Sequence, residues 1–206
     1  MRAPPARATL SLVVVTCVAY LLGGATTAGP ALPIYGGFIP ARFSGMASVD
    51  GMVPAILTPL TATLIHGGIL HIGFNMLMLG FCGKLVEAAL GRWGLFILYV
   101  AGAYASALGQ YLAGPQEMAP MIGASGAVSA VLGAQVLLYG RQTTRARGPF
   151  SARTLHMLWL AAAWIGLQIL VGLAWGGGIA IAAHIGGFLA GLALARPLLM
   201  ARYRSA

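Results

Sequence analysis

Residues 93–113 read WGLFILYVAGAYASALGQYLA, a stretch with no Asp, Glu, Lys or Arg. A helix crossing about 30 Å of hydrocarbon needs roughly 20 mostly apolar residues, and this stretch supplies them. It is continuously apolar and does not alternate in and out as a barrel strand does. Working outward, five further stretches have the same character: about 8–28, 64–83, 121–140, 155–175 and 179–199. The expectation is an all-α membrane protein: a six-transmembrane-helix bundle forming a single membrane domain over residues 1–206.

Composition agrees. Of 206 residues, 59% are hydrophobic and 7% charged, against about 25% charged in an ordinary globular domain. So few charges cannot cover a soluble surface of this size. A disordered chain, a secreted disulfide scaffold and an ordinary cytosolic enzyme are excluded. Cys17 and Cys82 sit in or beside apolar stretches, and no disulfide framework follows from them. The formal charge of +9 would suggest nucleic acid in a soluble protein. Here no nucleic-acid partner is expected, because the distribution of the charge matters more than its sum.

Sorted by loop, Arg2, Arg7, Lys84, Arg92, Arg141, Arg145, Arg147, Arg153, Arg196, Arg202 and Arg204 fall on one side of six spans, and Arg42 alone on the other. By the positive-inside rule both termini are predicted to be cytoplasmic. Asp50 and Glu117 lie on the exterior side. A competing reading makes residues 1 to about 30 a cleavable signal peptide, with a charged start, an apolar core and small residues near Ala28. The abundance of Arg, Ala and Gly suggests a bacterial inner membrane. One connection is long: Gly29 to Thr63 carries Pro30, Pro33, Pro40, Pro54 and Pro59 yet stays largely apolar. A first exterior loop of that kind is expected to be functional or partly embedded.

Polar side chains inside a membrane must be paired or line a cavity, which makes each a functional candidate. His66, His71 and Asn75 fall on span two or its approach, Gln110 late in span three, and Ser125 and Ser129 early in span four. Gln168 lies in span five and His184 early in span six, with His156 near the cytoplasmic start of span five. Spans two, four and six enter from the exterior, so His71, Ser125 and His184 share a depth in the outer half of the bilayer. On a helical wheel His71 and Asn75 share a face, whereas His66 is turned away.

A hydroxyl beside a neutral imidazole is the minimum for a nucleophile with its general base. Ser125 stands in Gly123-Ala124-Ser125-Gly126-Ala127, small residues at a helix N-terminus, where unused N–H groups face a developing oxyanion. His71 and Asn75 are further donors. No carboxylate completes a triad, so the inventory allows a Ser–His dyad. Other readings stay open. The Gly-Ala-Ser-Gly-Ala stretch and the GxxxG of Gly187 to Gly191 are also close-packing surfaces. Ser129, one turn past Ser125, is an alternative nucleophile. Gln110 and Gln168 read most simply as interhelical hydrogen bonders. His66, His71 and His184 form a conceivable metal set, but there is no HExxH and no carboxylate base. No metal and no cofactor are expected.

Three segments, His66-Gly67-Gly68-Ile69-Leu70-His71-Ile72-Gly73-Phe74-Asn75-Met76, Gly123-Ala124-Ser125-Gly126-Ala127 and Ala183-His184-Ile185-Gly186-Gly187-Phe188, resemble in that order the signatures of rhomboid intramembrane serine proteases. The resemblance covers essentially the whole chain. It implies Ser125 as nucleophile, His184 as base, an oxyanion hole of His71, Asn75 and the Ser125 N–H, and His66 as a supporting residue. It also implies substrates that are transmembrane protein segments, cleaved near small residues after entering laterally from the lipid bilayer, between spans two and five. Gly24 to Gly37 and Gly176-Gly177-Gly178 would be hinges. Two positions depart from many members: Arg42 follows Ala41 rather than Trp, and Ser129 stands where a Tyr is common. A catalytically inactive relative that binds membrane substrates, or a small transporter, is the alternative.

Overall fold

The computed structural model describes residues 6–24, 29–46, 50–140, 145–175 and 180–204. Part of the first expected hinge, residues 25–28, and all of the second, Gly176-Gly177-Gly178, lie outside them. The architecture is helical. Helix α1 spans Arg7–Gly24. A continuous helical run, Ile69–Ala113, is interrupted at Gly91, whose φ of 75° and ψ of 170° are non-helical. It divides into α2 (69–90) and α3 (92–113). Helix α4 is Ser125–Tyr139, α5 is Ala152–Trp175 and α6 is Ile181–Arg204. Among the described residues, Arg7–Gly24, Ile69–Ala113 and Ile181–Arg204 are long and apolar enough to cross a membrane.

Gly91 makes the turn between α2 and α3 possible because only glycine takes a positive φ at no steric cost. The arms then fold back on each other: His71, near the start of α2, and Gln110, near the end of α3, line one cavity. Helix α2 begins later than the apolar run that starts near residue 64. Residues 62–64 form a 3₁₀ turn, and Gly68 at φ 153° breaks the chain before Ile69. His66 is therefore in the approach and not on the helix. The helical-wheel expectation that turned it away from His71 is corrected: the two rings meet edge-on, with centroids 5.0 Å apart.

In lipid the hydrophobic effect does not drive helices together, so close backbone approach and van der Waals contact must do so. Helices α4 and α6 show how. A Cβ on Gly187 would overlap the carbonyl oxygen of Gly126, and one on Gly191 that of Ala130. Both glycines of the GxxxG are thus packing residues, as one of the open readings held. Around this contact Leu79, Val86, Leu95, Leu98 and Val131 form a fully buried core. Large apolar side chains such as Leu21, Leu70 and Leu112 stay exposed on the outer faces, as a bilayer permits and water would not.

The long first connection is built from short helical turns, among them Leu32–Gly36, Pro40–Phe43 and Thr58–Thr61, each with proline in its first positions. There its fixed φ suits the turn and its missing N–H costs nothing. The loop pairs with the segment leading to Ser125. Phe38 and Met121 exchange backbone hydrogen bonds of 3.0 and 2.8 Å, Ala41 N–H donates to Glu117 O, and Gly123 N–H donates to Ala62 O at 2.9 Å. Arg42 ties the loop to itself through a 2.8 Å bond to Val53 O.

Candidate active site

Ser125 is the first residue of α4 and His184 lies in the first turn of α6. The α4–α6 glycine contacts hold these two helix starts side by side. The Ser125 Oγ lies 2.8 Å from Nε2 of His184, so the hydroxyl can hand its proton to the ring. No intrahelical carbonyl takes the N–H of Ser125, Gly126 or Ala127, since the first N–H groups of a helix have none. The Ser125 N–H therefore remains a donor beside its own Oγ.

Gly123 shapes the approach. Its φ is +105°, and a Cβ there would sit 2.5 Å from Nε2 of His71. A larger residue would be both strained and in the space the imidazole occupies. His71 Nδ1 accepts from Gly67 N–H at 3.3 Å. The neutral ring then carries its proton on Nε2, a donor on the serine side. Asn75 donates one amide hydrogen to His71 O at 2.8 Å, which fixes the carboxamide and leaves its second hydrogen for another acceptor. His66 Nε2 accepts from Ala124 N–H at 3.4 Å, bracing the residue before the serine. His71, Asn75, Ser125 and His184 line one cavity of about 670 Å³, together with Gln110 and Glu117. The Gln110 Oε1 is buried without a protein partner among the described residues, which suits a water-holding space.

Ser129 is placed differently. Its hydroxyl donates to Ser125 O at 2.8 Å, it is buried, and it does not line the cavity. Gln168 was legible only as an interhelical hydrogen bonder. Its amide nitrogen Nε2 lies 2.6 Å from Nδ1 of His184, on the far side of the ring from Ser125. Nearby, Trp164 Nε1–H donates to His184 O at 3.3 Å, and its ring stacks on Phe188 with centroids 4.8 Å apart. The sequence carried one signal for this: after His156, Gln168 is the one strongly polar side chain of α5, and its neighbours Leu167, Ile169 and Leu170 face outward.

Comparison with known proteins decides the family. The Rhomboid domain model matches residues 54–201. The chain belongs to the rhomboid family. It is 34% identical over 139 residues to "Rhomboid protease GlpG" of Enterobacter sp. (strain 638), covering 66% of this chain and 46% of that protein. To "Rhomboid-type serine protease 2" of Emericella nidulans it is 33% identical over 133 residues, 63% of this chain and 24% of that protein. A "Rhomboid protease GlpG" of Photorhabdus laumondii is 31% identical over 137 residues, with 66% and 45% covered. The chain spans less than half the length of these curated relatives. This rhomboid-family chain, with its long apolar helices, is a multi-pass membrane protein.

Proposed function

We propose that the chain is an intramembrane serine endopeptidase that cleaves transmembrane segments of membrane proteins near small residues, in a bacterial inner membrane. The 2.8 Å contact between Ser125 Oγ and His184 Nε2 carries this reading. Ser125 attacks the scissile carbonyl while Nε2 takes its proton. The ring returns that proton to the leaving amine, and water hydrolyses the acyl-enzyme with His184 again as base. The oxyanion is held by the Ser125 N–H, His71 Nε2–H and the unused Asn75 amide hydrogen. Gly123 gives the room this needs, and His66 holds the preceding peptide.

A dyad without a carboxylate still has to orient its base. A carboxamide presents either its oxygen or its NH₂ to one point by turning about its last torsion. Turned so that Oε1 takes the place of the Nε2 that lies 2.6 Å from Nδ1, the Gln168 carboxamide accepts from Nδ1–H, leaves His184 Nε2 as the acceptor for Ser125 and stabilises the imidazolium when it forms. Gln168 is thus the positioning residue for the dyad.

Six spans with cytoplasmic termini fit the six helical segments, with α2 and α3 as separate passes. Helix α4 has 15 residues, about 22 Å at 1.5 Å per residue, less than the hydrocarbon thickness. With its far end at the cytoplasmic interface, Ser125 lies below the exterior surface. Water reaches it through the cavity, and a substrate helix enters laterally between α2 and α5. It must unwind there, because a helical carbonyl is already hydrogen-bonded.

The test is cleavage of a single-span reporter by purified full-length protein in detergent. Ser125→Ala and His184→Ala should each lower the rate by at least about 10³-fold. If both variants cleave as fast as the parent, the reading fails. A fluorophosphonate that still labels Ser125→Ala would move the nucleophile elsewhere.

A further inference from the structure

At the end of the bundle away from Ser125, a second cavity of about 510 Å³ opens where the end of α4, the start of α5 and the later half of α6 converge. Arg153 and His156 of α5 and Arg196 of α6 line it, with Leu138, Met157 and Leu192 as apolar wall. His156 is only 5% exposed, and neither of its ring nitrogens has a partner among the described residues. Buried polar groups are nearly always hydrogen-bonded, so this ring presents an unmet donor and an unmet acceptor.

Nor is a side-chain carboxylate at hand for the two guanidinium groups. The chain has three, Asp50, Glu87 and Glu117. Glu87 is engaged by Ala8 and Thr9, Glu117 lines the Ser125 cavity, and Asp50 belongs to the loop that packs toward that same end. Two cations, a buried donor and a buried acceptor therefore share a cavity with no side-chain carboxylate among the described residues that line it. Beside it, Leu158 and Trp159 of α5 present exposed apolar surface.

We propose that this cavity binds the headgroup of an anionic phospholipid, with phosphatidylglycerol the best chemical match. Its phosphate meets Arg153 and Arg196. One nitrogen of His156 donates to a phosphate oxygen, and the other accepts from a headgroup hydroxyl. The acyl chains lie along the outer face of α5. A free phosphate would satisfy the cations but would leave that apolar wall without a function.

Native mass spectrometry of the full chain in detergent, with phosphatidylglycerol and phosphatidylcholine of identical acyl chains, tests this without any activity readout. Phosphatidylglycerol is expected to be retained preferentially. Each of Arg153→Gln and Arg196→Gln should weaken its retention about fivefold, and the pair about twenty-fold. Arg145→Gln, outside the cavity, should change nothing. His156→Phe should weaken phosphatidylglycerol, which loses both bonds, more than phosphatidylcholine, which has the phosphate but no headgroup hydroxyl. Should the double Gln variant fail to fold, Arg153→Lys/Arg196→Lys, expected to keep most retention, and His156→Phe decide. Equal retention of both lipids by the parent, or unchanged retention in the double variant, overturns the proposal. So does full displacement by excess inorganic phosphate, which would make the ligand a free anion.

Discussion

Gln168 sits where a serine hydrolase with a triad would place its acid. Being neutral, it can orient His184 and accept from Nδ1–H, but it adds no charge to the imidazolium. An orienting hydrogen bond of this kind contributes about 1–3 kcal/mol, or roughly 5–150-fold in rate. Gln168→Ala is therefore expected to lower kcat by that factor with KM little changed, and Gln168→Glu, which accepts the same bond, to restore most of it. Reporter kinetics check this. A fall in KM-linked binding alone, or no rescue by Glu, would reduce Gln168 to a packing residue. If the parent cleaves and Gln168→Ala matches it, the positioning role fails while the protease reading survives. Ser129 makes the complementary point: with its hydroxyl committed to Ser125 O, it needs no role in the chemistry.

At the scale of elements, α1 is loosely enclosed: only Thr9 and Thr16 are buried in it. What fastens its start is Glu87, whose carboxylate accepts from Ala8 N–H at 2.9 Å, Thr9 N–H at 2.8 Å and Thr9 Oγ1 at 2.7 Å. A buried carboxylate at a helix N-terminus meets both the orphan donors and the positive end of the dipole. Glu87→Ala should destabilise the fold by about 1–3 kcal/mol, read as a lower thermal midpoint in detergent. The activity of the folded fraction should not change, because Glu87 does not line the Ser125 cavity. An unchanged midpoint would show that α1 is held by other contacts. In the sequence Glu87 is one of three side-chain carboxylates, and its position names no partner. Its capping role joins residues 79 and 78 positions apart, a separation that no local pattern encodes.

For the molecule as a whole, the proposed topology with cytoplasmic termini assigns each cavity a side. In it the protease site opens to the exterior, and the headgroup site faces the cytoplasmic leaflet. With Cys17 and Cys82 replaced, Asp50→Cys should react with an impermeant maleimide on intact cells, and Arg145→Cys only after permeabilisation. The reverse pattern would invert the topology. Much of this was open to a reading of the sequence alone. Apolar runs, charge placement and the residues Ser125, His184, His71 and Asn75 follow from short-range patterns, because span length and the exclusion of charge from hydrocarbon are local constraints. Tertiary structure decided what depends on distant chains meeting. It put His66 beside His71 and committed Ser129 to its own helix. It brought Gln168 to the imidazole, engaged Glu87 at α1, and set His156 in one cavity with Arg153 and Arg196. Each of those outcomes is set by the direction a side chain takes once helices have packed at glycine contacts such as Gly126 against Gly187. A linear pattern names the residue but not the neighbour it meets.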